Sequence, residues 1–297
     1  MDSPRVDEPP TLPAITDAHV HLWDLRALRY PWLTDQYDPA IPAGPYREIC
    51  RNFLIPDLLR NAGSLPLAKI VHIAAAIGHP DPIDETAFIE AHAAEHGVPL
   101  AIIASVDLSS ADVAAQLERH SVHASFRGMR ALSVGRDLWG DSALMSNLKH
   151  LEAADVVYEL DVQFPHYASA ARAVRRHATL RMVIDHAGMP TARSADHFRA
   201  WREGMSELAA APNVACKISG LGVYDHHWTI DSLRPWVETT IELFGPQRTM
   251  LASDWPVGSL YSSYPALYAA YSRITASLRL EERRQVFGTT AEAWYRV

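Results

Sequence analysis

Ile15-Thr-Asp-Ala-His-Val-His-Leu-Trp-Asp24 is the stretch on which the fold turns. Its first half is short, apolar and partly β-branched, and reads as a strand over 15–22. In a strand, residues i and i+2 share a face, so His19 and His21 point the same way, with Asp17 below them. Its second half carries no glycine. A doubly wound open sheet that holds a dinucleotide needs a Gly-rich turn after the first strand, and Leu22-Trp-Asp24 does not supply one. Taken alone, the two imidazoles are equally a site or a pair of hydrogen-bonded core histidines.

Outward from this segment the pattern is regular. Further apolar runs lie at 69–75, 99–108, 126–133, 157–164, 181–188, 214–220 and 249–256. Helical patterns separate them, near 84–97, 110–120, 142–154, 166–178, 195–211, 231–244 and 265–277. Asp84, Ser109 or Ser110, Ser142, Ser194 and Asp231 are placed to cap these helices, and Gly97 to end the first. Strands alternating with helices imply a parallel sheet, and eight such units in 297 residues fit an α/β fold of the (β/α)8 TIM-barrel kind. The doubly wound sheet is the runner-up. Residues 23–53 break the alternation with Trp23, Tyr30-Pro31-Trp32, Tyr37, Pro39, Pro42, Pro45 and Tyr46. This aromatic and proline-rich insertion after the first strand either lids the barrel mouth or packs as a surface loop. We expect a flexible tail over 1–13 and a single domain over 14–297.

Composition narrows the function. The chain is 48% hydrophobic, enough for a large core, and carries a net charge of −8 with no basic run, which argues against nucleic acid as a partner. No apolar stretch approaches the roughly 20 residues of a membrane span, and the N-terminus lacks a signal-peptide core. Two cysteines, Cys50 and Cys216, cannot build a disulfide framework, so a cytoplasmic location is expected. A homo-oligomer is left open.

Active sites of such barrels sit at the C-terminal ends of the strands. There the chain places His19 and His21, Arg130, His166 after Gln163-Phe-Pro, Asp185 with His186, Lys217 with Ser219, and Asp254 in Ser253-Asp-Trp-Pro256. Polar groups where apolar strands end are the mark of a pocket. With 15 histidines in the chain, one or two coincidences are expected. Because neighbours in a strand face opposite ways, His186 is read as a site residue and Asp185 as structural. Lys217 is open between a solvated rim residue and a ligand for an acidic substrate. Trp255 is open between pocket wall and core. His226 and His227 are read as surface residues.

The order of HxH, then His, His and Asp on later strands resembles the amidohydrolase superfamily. Asp17-Ala-His-Val-His-Leu-Trp-Asp24, Tyr30-Pro-Trp-Leu33, Ile184-Asp-His-Ala-Gly-Met-Pro190, Lys217-Ile-Ser-Gly-Leu221 and Ser253-Asp-Trp-Pro-Val257 are similar to its amidohydrolase-related branch. That branch holds sugar-acid lactonases of the L-fuconolactone and L-rhamnonolactone type and 2-pyrone-4,6-dicarboxylate lactonases. The resemblance covers 15–297. It implies that Asp254 is the base that activates water, that His19, His21 and Asp254 are metal ligands where a metal is present, and that His186 and His166 match the later histidines. It implies a substrate contact for Arg130. Glu85 stands where relatives place a glutamate after the second strand. Glu85, Trp23 and Trp255 complete the candidate substrate set. Phe287-Gly-Thr-Thr-Ala-Glu-Ala-Trp-Tyr295 resembles the usual closing helix, with Thr290 in place of a common asparagine.

The chemistry agrees with the residue types. Lactone hydrolysis needs an activated water, a polarised carbonyl and a proton for the leaving alkoxide, which a carboxylate, imidazoles, a guanidinium or a metal can provide. Binuclear relatives bridge their metals with a carboxylated lysine on the fourth strand. The only lysines here are Lys69, Lys149 and Lys217, so 126–133 has none. One divalent metal (zinc), held by His19, His21 and Asp254 with His166 as a further ligand, or no metal at all, is what the sequence allows. There is no GxSxG elbow, Walker loop or Cys motif. The reading is a hydrolase that opens a lactone, with a sugar-acid lactone favoured by Trp23-Asp24 and Tyr30-Pro-Trp-Leu33. The alternatives are a pyrone or aromatic dicarboxylate lactonase, which would want Arg130, Lys217, Arg127 or Arg193 in the mouth, and a metal-dependent decarboxylase of the same superfamily. A binding protein without activity is disfavoured by the dense His/Asp set, because such groups are costly to bury unused.

Overall fold

The computed structural model describes residues 11–132, 139 and 141–297. The tail expected over 1–13 therefore lies outside the described residues for its first ten positions, as does residue 133 at the end of the fourth strand candidate. Eight parallel strands follow one another in chain order: β1 (Ile15–Val20), β2 (Leu67–Ile73), β3 (Leu100–Ser105), β4 (Phe126–Arg130), β5 (Val157–Leu160), β6 (Met182–Ile184), β7 (Val214–Ile218) and β8 (Thr249–Leu251). A parallel bridge between Val20 and Trp255 brings the chain after β8 back to β1. His21 N–H donates to Trp255 O at 2.7 Å and Asp254 N–H to His19 O at 2.9 Å, which nearly closes a TIM barrel. All eight strand candidates are present, each ending two to five residues earlier than its apolar run, because the C-terminal ends turn into loops that carry the polar residues.

Alternation along the strands sorts two cores. Ala18, Val71, Ile73, Ala101, Ile103, Val157, Val183, Ala215 and Met250 fill the barrel interior, joined by Ala291 and Tyr295 from the last helix, Thr290–Tyr295. That helix plugs the N-terminal end of the barrel. Thr290, in place of the common asparagine, donates to Pro246 O at 2.9 Å and ties the helix to the loop before β8. The opposite strand faces, with Ile70, Ile102, Tyr158, Leu160, Ile184, Cys216 and Ile218, pack against the outer helices.

Those helices, at Ile83–His96, Val113–Ser121, Ser142–Ala153, Tyr167–Arg176, Ala195–Ala209, Ile230–Phe244 and Tyr264–Ile274, follow the sequence pattern. Ser194 caps as expected by accepting from His197 N–H. Elsewhere the caps shift. Thr229 rather than Asp231 caps Ile230–Phe244, Asp84 lies inside its first turn, and Asp112 rather than Ser109 or Ser110 precedes Val113. The helix Ile55–Ala62, between the insertion and β2, was not anticipated. It is eight residues long, and its periodicity is too brief to stand out. Among the described residues, no helix is long and apolar enough to cross a membrane.

The insertion is tied off at its base by an antiparallel bridge, Trp23 N–H to Phe53 O (2.8 Å) and Phe53 N–H to Trp23 O (2.9 Å). Trp23, Tyr30, Leu33, Tyr46 and Phe53 are buried within it. It is then pinned across the loops after three strands. Trp32 Nε1 donates to Ala75 O at 2.8 Å, Tyr261 Oη to Ala43 O at 2.6 Å, and His226 Nε2 lies 3.2 Å from Pro42 O. His226 also stacks on Tyr261, with ring centroids 3.8 Å apart. The insertion thus packs over the C-terminal end of the barrel.

Candidate active site

His19 and His21 do share a face, but Asp17 does not lie below them. The register of β1 against β2 shifts between Asp17 and Val20. Asp17 consequently turns outward, where its carboxylate accepts from Tyr264 Oη (2.8 Å), Ser253 N–H (2.9 Å) and His19 N–H (3.2 Å). One buried carboxylate thereby fastens the ends of β1 and β8 to each other.

Inside, His19 Nε2, His21 Nε2 and Asp254 Oδ1 form a triangle with sides of 3.2, 3.4 and 3.6 Å. His21 Nδ1–H donates to Ile73 O at 2.8 Å, and His19 Nδ1 lies 3.3 Å from Asp185 Oδ1. His21 Nε2 therefore turns a lone pair toward Asp254, and His19 Nε2 does the same when the His19 proton sits on Nδ1, beside Asp185. Burial keeps both rings neutral. It pushes His21 down to about 3, aided by Arg130, and His19 well below the ordinary histidine value, aided by Lys217. Burial also raises Asp254 to about 6, against the pull of His186 and Arg130.

The donor set fits one tetrahedral ion. Bonds of about 2.05 Å place tetrahedral ligand atoms about 3.3 Å apart, close to the three sides observed. Two lone pairs and a carboxylate oxygen facing one point repel one another unless a cation or proton sits among them. His166 is not part of this set. It precedes the helix Tyr167–Arg176, and its carbonyl accepts from Ser169 Oγ at 2.9 Å.

Both Asp185 and His186 reach the site, which alternation did not allow. β6 ends at Ile184, and His186 and Ala187 take φ values of 52° and 51°. The chain turns there, so strand alternation no longer applies. His186 Nδ1 pairs with Ser219 Oγ at 2.9 Å, and its ring lies 4.5 Å from that of His19. It is half-buried, whereas Asp254, His19 and Asp185 are buried. Gly220 closes this side, with φ +59°; a Cβ there would stand 2.8 Å from His186 Nδ1 and 3.0 Å from Asp254 Oδ2.

Lys217 is not a rim residue. It is fully buried, with Nζ 2.6 Å from Glu159 Oε2 and 2.8 Å from Asp185 Oδ1. Burial acts to raise the Asp185 carboxyl, but Lys217, His19 and Arg130 overcome it and hold Asp185 well below the usual carboxylate range. Glu159 was not singled out in the sequence, although a glutamate inside the apolar run Val157-Tyr-Glu-Leu160 signals a buried partner. Arg130 is also buried rather than at the mouth. Its guanidinium lies 3.4 Å from Asp185 Oδ2 and 3.4 Å from Ala74 O.

Three candidates do not enter the triangle of His19, His21 and Asp254. Trp23 is fully buried at the base of the insertion, and its indole N–H donates to Arg51 O at 2.6 Å. Trp255 is core, packed edge-on against Phe53. Glu85 accepts from Ala75 N–H (2.7 Å) and Ala76 N–H (3.0 Å), shaping the loop after β2.

The model of the amidohydrolase family (Amidohydro_2) matches residues 16–297. The chain is 36% identical to the uncharacterized protein y4mH of Sinorhizobium fredii, over 96% of this chain and 99% of that protein. It is 29% identical to an L-fucono-1,5-lactonase of Burkholderia multivorans, over 94% and 95%. A crystal structure of a zinc-bound amidohydrolase from Burkholderia multivorans superposes with a TM-score of 0.81 at 26% identity, covering 96% of this chain and all of that one. A barrel with this ring of histidines and aspartates, and this match along nearly its whole length, belongs to the amidohydrolase family.

Proposed function

We propose that the chain is a lactonase that opens a neutral sugar-acid lactone with a water activated by Asp254. The observation that carries this reading is how the cations are committed. A dicarboxylate substrate would call on Arg130, Lys217, Arg127 and Arg193. Lys217 sits between Glu159 and Asp185. Arg193 Nη1 donates to Pro190 O, and its Nε faces Asp225 at 3.6 Å. Arg127 is bound to the carbonyls of Ala124 and Arg296 at the far end of β4. Arg136 lies outside the described residues. Arg130 keeps an unpaired Nε, which suits one carbonyl or hydroxyl oxygen better than two carboxylates.

The remaining roles follow from position. Asp254, lifted toward neutral pH by burial, takes the proton of the attacking water. His186, beside Asp254 and open to the mouth, relays the proton taken up by Asp254 to the leaving alkoxide. Arg130 orients the carbonyl oxygen. His19, His21 and Asp254 would hold a zinc ion, which when bound polarises an oxygen and makes water more acidic. The two cysteines are free and the reaction needs no oxidising compartment, which suits a cytoplasmic enzyme of carbohydrate metabolism. A panel of neutral aldonolactones in a pH-indicator assay tests the proposal. Ring opening releases one proton per turnover, whereas carbon dioxide release would identify a decarboxylase instead.

A further inference from the structure

A line of buried charged groups runs from the closing helix to the metal-type cluster. Tyr295 Oη donates to Glu159 Oε1 at 2.6 Å. Glu159 Oε2 lies 2.6 Å from Lys217 Nζ, which lies 2.8 Å from Asp185 Oδ1. Asp185 Oδ1 lies 3.3 Å from His19 Nδ1. Tyr295, Glu159, Lys217, Asp185 and His19 are all fully buried. Such a line is a poor stabiliser. A buried ion pair costs several kcal/mol of desolvation per ion, and an apolar replacement of the same shape is often as stable or more so. Stability alone does not explain a lysine and two carboxylates inside this barrel.

We propose that Lys217 is a positioning residue. Held from below by Glu159 and Tyr295, it keeps Asp185 aimed at His19 Nδ1. That contact fixes the ring and its tautomer, with the Nε2 lone pair turned toward Asp254 and His21. Groups that orient a ligating or acid–base histidine through its second nitrogen typically affect metal affinity or activity by about 10–100-fold. By this route the last helix of the chain, at the opposite end of the barrel, sets the geometry of the site.

The proposal rests on the site reading above but not on the identity of the substrate, because its first readout is the histidine itself. In the protein as purified, labelled with 15N on histidine, His19 is assigned by comparison with His19→Gln. It should show a proton on Nδ1 and none on Nε2. Lys217→Met leaves Glu159 unpaired and is expected to be unstable, so the decisive variant is Lys217→Met/Glu159→Gln, which removes both charges together. Its melting temperature should return to within a few degrees of wild type. Its His19 should lose the single Nδ1–H form, and kcat should fall about 10–100-fold with KM changed less than about threefold. Tyr295→Phe, which removes only one hydroxyl, should shift the His19 signals and lower kcat several-fold. A double variant, or a folded Tyr295→Phe, with unchanged His19 signals would overturn the proposal and leave the line as packing alone. Intact His19 tautomer control with no lactone turnover would instead defeat the lactonase reading.

Discussion

His19 and His21 turn their Nε2 atoms toward each other at 3.2 Å, while the Ile73 carbonyl accepts from the opposite nitrogen of His21 and Asp185 Oδ1 lies 3.3 Å from the opposite nitrogen of His19. Two neutral imidazoles fixed in this way, with the Asp254 carboxylate closing the triangle, form a ready cradle for one cation. Dialysed protein titrated with zinc should take up about one equivalent, and His21→Asn should weaken uptake by about two orders of magnitude or more. Failure of wild type to take up zinc would leave the pair to orient substrate and water by hydrogen bonding.

Gly220 is the narrowest point of the site wall. Gly220→Ala adds a methyl 2.8 Å from His186 Nδ1 and 3.0 Å from Asp254 Oδ2, at a backbone φ of +59°. The backbone penalty is about 1–2 kcal/mol, so the variant should fold with a modestly lower melting temperature. Turnover should fall by about tenfold or more as both groups are displaced. A variant with wild-type kcat would show that neither group needs its present position.

Arg130 tests the substrate. Arg130→Met should lower kcat/KM by roughly 10–100-fold, the scale of one or two charge-assisted hydrogen bonds. Arg130→Lys should retain part of the activity on a neutral lactone, since one oxygen does not require a guanidinium fork. Complete loss in the lysine variant would favour a dicarboxylate, and an effect limited to melting temperature would reduce Arg130 to a partner of Asp185.

His120 sets part of the acid sensitivity of the fold. It is fully buried, with Nδ1 2.9 Å from Thr86 Oγ1, and burial, then His123 and Arg119, push it down to about 4. Asp81 acts in the opposite direction. A histidine that titrates near 6.5 when unfolded binds its proton more readily in the unfolded state. Stability should therefore fall as pH drops from about 6.5 toward 4, by on the order of 2–3 kcal/mol from this group. Thermal melts between pH 7 and 4.5 should show a shallower acid limb for His120→Gln than for wild type. Parallel limbs would assign the acid loss to other groups.

The strands and their order were legible in the sequence because each is a short apolar run between well-marked helices. The two imidazoles of β1 were legible because period two survives at His19 and His21. Asp17 was misplaced because a register shift is a property of paired strands, which a single strand's pattern does not carry. Asp185 and His186 were separated by the same rule, which fails once the chain takes positive φ at His186. Glu159, and its partnership with Lys217, were hidden for a different reason. Neither residue's own strand names its partner, and only closure of the barrel brings β5 and β7 near enough to set the two charges 2.6 Å apart. Trp23 was legible as part of the insertion, but its burial at the bridge with Phe53 depends on where the insertion ends.

Proton release from a panel of neutral aldonolactones and from 2-pyrone-4,6-dicarboxylate, measured side by side for wild type and Asp254→Asn, bears most directly on the central claim. The account predicts turnover of at least one neutral lactone, little of the dicarboxylate, and a loss of at least about 100-fold in folded Asp254→Asn, the contribution of a general base. Near-normal turnover by Asp254→Asn, or a clear preference for the dicarboxylate, would contradict it.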